Sequence, residues 1–175
     1  MKRFSSIKIW VVFIALPLFF FSCHKDNASS APSEKYQIVS GTWIQTDIVL
    51  GVPVSIPAGN MTYDLPAGTS VFTDPILNAI GLTSLFEPTI GNTYAFNTTG
   101  NYTIVGATDF ILPVAGNTGT WSLDVYDAVV KLVSPTNVND PHWINTMTSD
   151  SLSLSLNVTI DGFGEVPFNL LLRKQ

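Results

Sequence analysis

The strictest pattern in the chain is an alternation of apolar and polar residues over positions 151–160, where Leu, Val and Ile alternate with Ser, Asn and Thr. Successive side chains of a β-strand point to opposite faces, so this run predicts a strand with one face buried and the other in water. Asp161 and Gly162 follow directly, and both tolerate the positive φ of a tight turn. The alternation resumes over residues 166–172, which indicates an antiparallel hairpin.

Shorter runs rich in Val, Ile, Thr and aromatic residues, separated by Gly, Pro, Asn and Asp, occupy much of the chain after residue 40. Such spacing is typical of an all-β barrel or sandwich. The further strands that these runs predict span residues 41–50, 94–98, 102–108, 120–126, 128–134 and 142–148. With the last hairpin they make about eight strands, and their short links favour pairing between strands adjacent in sequence.

Residues 51–92 form an insertion that interrupts this pattern. Within it, the segment from Asp74 to Pro88 predicts one short helix, because Asp is a favoured N-cap, Pro75 suits the first helical position and Pro88 ends the helix. The apolar stripe of this helix would consist of Ile76, Leu77, Ile80 and Phe86. Two similar phrases, IPAGNMTY and LPAGTSVF, predict turns built on Pro and Gly. We expect the helix to pack across one mouth of the barrel.

The N-terminal segment has the organisation of a secretory signal. Lys2, Arg3 and Lys8 precede an apolar run over residues 9–21, after which the chain becomes small and polar. As a helix this run would be about 20 Å long, which is short of the roughly 30 Å core of a bilayer. We therefore predict a cleaved signal peptide over residues 1–22.

The single cysteine of the chain, Cys23, lies where the signal would be cut. The segment resembles a bacterial lipoprotein signal, with Phe20 and Ser22 where the usual lipobox has Leu and Gly or Ala; looser boxes of this kind are familiar in Bacteroidota lipoproteins. The resemblance implies that Cys23 carries the lipid, and two or more acyl chains hold a protein stably on a membrane. The alternative is a free cysteine near a cut site.

Residues 23–36 have almost nothing to bury, so they predict a flexible tether between lipid and domain. Within them, Lys25 and Asp26 are similar to the signals that send such lipoproteins to the cell surface, although an ordinary solvated linker fits equally well. The predicted location is therefore the outer membrane, with the domain facing either the periplasm or the cell surface.

The charge balance excludes several classes of partner. Without the three basic residues of the signal, five Lys and Arg stand against thirteen Asp and Glu. Nucleic-acid binding needs clustered cations that displace counterions from phosphates, and this chain has too few. The acidic surface would also be repelled by anionic lipid, so we expect membrane contact through lipidated Cys23 alone.

Several short motifs follow one another in a distinctive order along residues 40–174. A Gly-Thr-Trp sequence stands at 41–43, an F-x-x-x-G-x-Y hairpin at 96–102 and a second Gly-Thr-Trp at 119–121, before the serine-rich strand. This order resembles the lipocalin-like domains of Bacteroidota lipoproteins. The resemblance implies an up-and-down antiparallel barrel of about eight strands over residues 37–175, and the long insertion departs from the family pattern.

By the same resemblance, Trp43 would plug one end of the barrel, with Arg173 against its ring. A guanidinium over an indole face gains about 0.5–2 kcal/mol. An inward Trp43 conflicts with strict alternation, because Gln45 and Asp47 would then face the interior while the apolar residues at 48 and 50 face outward. Either the barrel has a polar wall, or the first strand contains a bulge that exchanges its faces.

The aromatic residues support two hypotheses about function. In the first, the protein is a non-enzymatic module that binds a small apolar ligand, because an eight-stranded barrel can hold one small molecule. The residues expected to line the cavity are Trp43, Phe96, Tyr102, Trp121 and Phe168. In the second, side chains fill the barrel and the chain is a structural or interaction lipoprotein that presents residues 51–92 to a protein or glycan.

Catalytic and metal chemistry have weak support in the sequence. The mature chain has two histidines, His24 in the tether and His142, whereas a zinc site needs three or four His, Cys or acidic ligands. No nucleophile motif such as G-x-S-x-G accompanies His142, so we interpret it as a half-buried strand residue. Acidic pairs near turns, such as Asp124 with Asp127, are more simply solvated than catalytic. We expect no enzyme activity, metal or cofactor.

Overall fold

The computed structural model describes residues 32–106 and 116–175. The predicted signal peptide, the predicted lipidation site Cys23 and the predicted tether as far as residue 31 lie outside the described residues.

The described elements are, in chain order, α1 (Glu34–Val39), β1 (Gly41–Leu50), β2 (Val54–Ala58), β3 (Met61–Leu65), α2 (Pro75–Ala79), α3 (Leu82–Phe86), a 3-10 turn (Glu87–Thr89), β4 (Thr93–Phe96), β5 (Asn101–Val105), β6 (Thr118–Asp124), β7 (Val129–Val133), β8 (Asn139–Met147), β9 (Ser151–Ile160) and β10 (Gly164–Lys174). The ranges predicted for the first strand and for the serine-rich strand match β1 and β9 residue for residue. The helices are all short, and among the described residues none has the length and apolar character needed to cross a membrane.

Eight of these strands close into an antiparallel barrel in the order β1-β10-β9-β8-β7-β6-β5-β4. From β4 to β10 each strand pairs with the next in sequence, and β1 closes the ring by pairing with both β4 and β10. The predicted all-β, up-and-down antiparallel barrel is thereby confirmed. We call the end where β1 begins and β10 finishes the α1 end, and the opposite end, where β1 finishes and β10 begins, the insertion end.

A bulge in β1 resolves the conflict in its alternation. The pairing of β1 with β10 shifts register between Gln45 and Asp47. Trp43 and Gln45 are buried before the bulge, and Ile48 is buried after it. Because one extra residue restores the apolar side chains to the inner face, the strand keeps a buried tryptophan at one end and a buried aliphatic face at the other.

The insertion contains more structure than the sequence predicted. Strands β2 and β3 form a separate two-stranded hairpin around Gly59, whose φ is 64°. The IPAGNMTY phrase, predicted as a turn alone, therefore supplies a turn together with strand residues on both sides. Pro57 obscured this hairpin, since Pro argues against a strand except at the edge of a sheet, and a two-stranded ribbon consists of edges.

The helix predicted from Asp74 to Pro88 is two helices. The start is confirmed, because the Asp74 carboxylate accepts hydrogen bonds from the backbone N–H groups of Ile76 and Leu77, at 2.9 and 3.0 Å. The single helix was wrong, because Gly81 adopts the left-handed conformation at φ 85° and ends α2 before α3 begins. Glycine just past the last helical turn is a common helix terminator.

The insertion packs across the mouth of the barrel, as predicted. Leu77 and Phe86 are fully buried, and the Phe86 ring meets the Phe168 ring of β10 edge to face, with centroids 5.1 Å apart. Ile80 differs from the prediction, because its side chain is 39% exposed instead of belonging to the buried stripe. The break at Gly81 is the reason, since α2 ends at Ala79 and Ile80 lies past its last helical residue.

Candidate functional site

Helix α1 closes the barrel at the α1 end. The buried Trp43 indole donates a hydrogen bond of 2.8 Å from Nε1 to the Val39 carbonyl. The Lys174 ammonium donates one of 2.8 Å to the Ile38 carbonyl and lies 5.1 Å from the Trp43 ring centroid. Carbonyls in the last turn of a helix lack partners within the helix, so side chains of β1 and β10 donate hydrogen bonds to the last carbonyls of α1.

The cation over Trp43 is therefore Lys174, and the prediction of Arg173 was wrong. In the pairing of β1 with β10, Trp43 lies opposite Lys174 and Ile44 lies opposite Arg173. Neighbouring residues of a strand point to opposite faces, so an inward Lys174 places Arg173 on the outer, exposed face. The alternation of the last strand already indicated that Lys174 faces inward, because Leu172 and Lys174 share a face.

The first residues of α1 were predicted to belong to the tether, yet they form part of the barrel's closure. The Tyr36 ring stacks on Trp121, with centroids 4.3 Å apart and planes 11° from parallel. Trp121 also meets Phe96 at 5.4 Å and donates from Nε1 to the Asn97 carbonyl at 2.9 Å. The ordered domain therefore begins before residue 37, because Tyr36 gains an aromatic partner that no local pattern indicates.

The five aromatic residues predicted to line a ligand cavity all lie in the packed interior, none more than 3% exposed. A void beside Phe96, bounded also by Tyr94, Leu132 and His142, has a volume of about 10 Å³. That is about the minimum for one water molecule, whereas small-molecule sites measure roughly 300–1,000 Å³. Among the described residues, the interior thus corresponds to the filled form of the barrel.

A buried polar cluster ties the insertion to the barrel wall. The Gln45 amide donates to the Thr89 hydroxyl at 2.8 Å, and the Tyr94 hydroxyl donates to Gln45 Oε1 at 3.2 Å. Thr89 in turn donates to the Phe86 carbonyl at 2.6 Å. Burial raises the pKa of the Tyr94 hydroxyl far above its ordinary value. The conflict at Gln45 pointed to a polar wall, but no local pattern indicates that Thr89 completes it.

His142 bridges a gap between two strands. The pairing of β8 with β9 begins only at Ile144, and ahead of it the buried His142 ring reaches the Ser155 carbonyl from Nδ1 at 2.9 Å. Nε2 lies 3.2 Å from Asp140 Oδ2. The Ser155 hydroxyl accepts from the Trp143 backbone N–H, so it is not positioned as a nucleophile for the ring. The environment supports a structural role, with deeper burial than predicted.

Metal ligation finds no support in the described part of the chain. There, no group of three or more His, Cys, Asp or Glu side chains is placed to hold an ion. Asp124, one of the acidic residues considered for catalysis, instead accepts a hydrogen bond of 2.7 Å from the backbone N–H of Val125. Its carboxylate therefore stabilises the turn that follows β6.

The insertion end carries an acidic surface with exposed apolar side chains, which we call the insertion-end surface. A groove of about 410 Å³ lies between the α2–α3 connection and the β9–β10 hairpin, lined by Ile80, Leu85 and Ile160 among others. The exposed apolar side chains of this surface are Met61, Ile80, Leu85, Ile90 and Phe163. Its acidic residues are Asp64, Asp74, Glu87, Asp161 and Glu165, and residues 51–92 contain no Lys, Arg or His.

No protein-family model matches this chain, and a search of curated proteins found no match. The closed antiparallel barrel is thus defined by the structure alone.

Proposed function

We propose that the protein is a lipid-anchored, extracytoplasmic lipoprotein of the lipocalin-like type, in which a filled barrel presents the insertion-end surface to a protein partner. The observation that carries this proposal is the combination of an interior packed with side chains and an exposed apolar groove set among acidic residues. Exposed apolar patches rimmed by polar residues mark interaction sites, whereas a barrel that carries a small ligand needs internal space.

The arrangement of the two ends supports the same proposal. The chain enters the barrel through α1, and the insertion follows β1 at the opposite end. A lipid on Cys23 would therefore hold the protein from the α1 end and leave the insertion-end surface available to other molecules.

Charge favours a partner with basic residues. The insertion-end surface has acidic side chains and no cation within residues 51–92, so its potential attracts positively charged surfaces and repels anionic ones. The apolar groove would supply the contact area, while the surrounding carboxylates would orient the partner and raise its association rate at low salt.

A small apolar ligand inside the barrel is the weaker proposal. Binding at Trp43, Phe96, Tyr102, Trp121 and Phe168 would require the barrel to expand, because these side chains already contact one another or their neighbours. The cost would be that of opening a core packed as densely as an organic crystal.

The partner proposal is tested with a photo-cross-linking amino acid at Leu85, which is 36% exposed in the groove, in the full lipidated chain in its host membrane. We expect a cross-link to one protein that weakens as salt is added and with Glu165→Lys. Glu165 pairs with Thr159 of the groove, and the matched control is Glu34→Lys at the α1 end. Equal loss with both variants, or no salt dependence, would contradict the proposed surface.

The anchor is tested separately by growth with labelled palmitate. We expect the label to appear on the unaltered chain and to disappear from Cys23→Ala. Equal labelling of the two chains would eliminate the lipoprotein part of the proposal while leaving the interaction surface intact.

A further inference from the structure

The turn between β6 and β7 holds an unusual backbone conformation. Val125, Tyr126 and Asp127 have φ values of 49°, 57° and 59°, so three consecutive residues other than glycine are left-handed. This conformation is strained for an L-residue, and it is least favourable for a β-branched residue such as valine. The backbone is held by hydrogen bonds at its base, including Ala128 N–H to the Asp124 carbonyl at 3.1 Å.

The strain is not offset by packing within the chain. Tyr126 is 99% exposed and Val125 is 48% exposed, so these side chains contribute little to the folded core. Glycine or asparagine would adopt the same turn at lower cost. A strained turn that displays an aromatic and an aliphatic side chain to solvent is better explained by a contact outside the chain.

The turn lies at the α1 end, on the side where the chain arrives from Cys23. Lys35 of α1 donates to the Asp127 carbonyl at 3.4 Å. Eight residues lie between Cys23 and Pro32, where the described chain begins, and the nine steps from one to the other extend at most about 32 Å. A lipid on Cys23 would therefore keep this end of the barrel within a short distance of the bilayer.

The charge distribution distinguishes the two ends in the same sense. Lys35, Arg173 and Lys174 lie at the α1 end beside Glu34, Asp124, Asp127 and Asp150, so that end is close to neutral, whereas residues 51–92 at the other end contain acidic residues and no basic one. An anionic membrane surface would repel the insertion end and tolerate the α1 end. Charge and tether thus favour the same orientation.

We propose that Val125 and Tyr126 insert into the headgroup region of the membrane that carries the lipid anchor, so that the barrel stands with its α1 end against the bilayer. Tyrosine suits this interface because its ring enters the apolar boundary while its hydroxyl stays hydrated. One tyrosine and one valine bind membranes weakly alone, but the anchor raises their effective concentration at the surface. The inference rests on the anchor of the proposed function and would add a second membrane contact to the one expected at Cys23.

The test uses the full lipidated chain in vesicles of phosphatidylethanolamine and phosphatidylglycerol. Lipid occupies the single cysteine, so Tyr126→Cys provides one free thiol for an environment-sensitive fluorophore. We expect blue-shifted emission and loss of quenching by aqueous iodide when the chain is on vesicles. The matched control is Phe163→Cys, which is 44% exposed at the insertion end and should stay fully quenched.

Flotation of the vesicles reports the anchor independently of the label. If the chain floats but the label at position 126 is quenched as strongly as that at 163, the turn does not enter the membrane, while the anchor stands. If the label is shielded in host membranes but not in lipid vesicles, the turn binds a protein instead and the proposal is overturned. If the unlabelled chain does not float, the anchor itself fails and the proposal fails with it.

Discussion

At the scale of single residues, the burial of Tyr94 makes the stability of the folded chain depend on pH. Its hydroxyl is buried against Gln45, and burial holds its pKa above the ordinary value of 10.0. Below pH 10 the group is neutral in both folded and unfolded chains. At higher pH the unfolded chain loses this proton while the folded chain keeps it, so the free energy of unfolding falls as pH rises.

Tyr94→Phe should therefore have opposite consequences at two pH values. Near neutrality it removes one buried hydrogen bond and lowers the free energy of unfolding by about 1 kcal/mol. Above pH 10 the free energy of unfolding should fall less steeply with pH than in the unaltered chain. Some decline remains because of Tyr102, whose pKa is also raised, by burial and by the charge of Asp140. Urea unfolding across this range measures both effects, and parallel curves would contradict the argument.

Lys174 and Arg173 offer a matched comparison of neighbouring cations. Lys174 donates to the Ile38 carbonyl and lies over Trp43, whereas Arg173 is exposed on the outer face. Lys174→Met should lower the free energy of unfolding by about 2 kcal/mol, because a charged hydrogen bond and a cation–π contact are lost. Arg173→Met should change it by less than about 0.5 kcal/mol. Denaturant titration of both variants measures the two changes in the free energy of unfolding. A larger effect at Arg173 would show that Lys174 is not the cation that stabilises the α1 end.

Residue roles were predictable where a local rule applies and unpredictable where register decides. The N-cap at Asp74 followed from the chemistry of helix starts. The partner of Trp43 depends on how β10 aligns with β1 across the bulge at Gln45, and sequence motifs do not carry that alignment. Thr89 was missed for a similar reason, since its partner lies in a strand more than forty residues earlier.

At the scale of elements, the second Gly-Thr-Trp motif has a steric explanation. A Cβ on Gly119 would overlap the Val133 carbonyl oxygen and lie 2.8 Å from Cε1 of Tyr102. Glycine therefore permits β6 to approach β7 while the Tyr102 ring lies against it. By contrast, a Cβ on Gly81 would meet nothing within 4 Å, so its requirement for glycine comes from its positive φ alone.

The two glycines should respond differently to alanine. Gly81→Ala should lower the free energy of unfolding by about 1 kcal/mol, the cost of placing a Cβ in the left-handed conformation. Gly119→Ala should cost more, about 3 kcal/mol, because the backbone of β7 and a buried ring must move. Thermal and urea unfolding measure which of the two substitutions destabilises the chain more. An equal or smaller effect at Gly119 would contradict the close approach of β6 and β7.

Elements with a strong period were predicted well, and those shaped by packing were not. Strands β1 and β9 have the predicted bounds, β9 because its alternation reflects a barrel with a wet outside and β1 because it is a run rich in Ile, Val and Thr that ends at a glycine. The first three residues of α1 were assigned to the tether, since the stacking of Tyr36 on Trp121 supplies stabilisation that no local sequence pattern indicates. The gap between β8 and β9 that His142 fills could not be predicted either, because an interrupted strand pair leaves the sequence pattern of each strand unchanged.

At the scale of the whole molecule, the two ends of the barrel have different chemistry. The α1 end carries basic and acidic residues in nearly equal number, a strained turn with an exposed tyrosine and the start of the described chain. The insertion end carries acidic residues and an apolar groove. Between them the interior formed by the described residues is packed with side chains, so the membrane contact proposed at one end and the protein contact proposed at the other would both be made by surface residues.

This division of roles predicts the mass of the native molecule. Protein purified from its own host membranes without denaturation should have, by native mass spectrometry, the mass of the processed chain with its lipid on Cys23 and no further small molecule. The void beside Phe96 holds about 10 Å³, so an internal ligand would have to displace side chains that now contribute to the core. A Cys23→Ala chain, which lacks the lipid, provides the reference mass. A retained apolar molecule in both chains, released on unfolding, would show that the barrel opens and would restore the ligand-binding hypothesis in place of the filled scaffold.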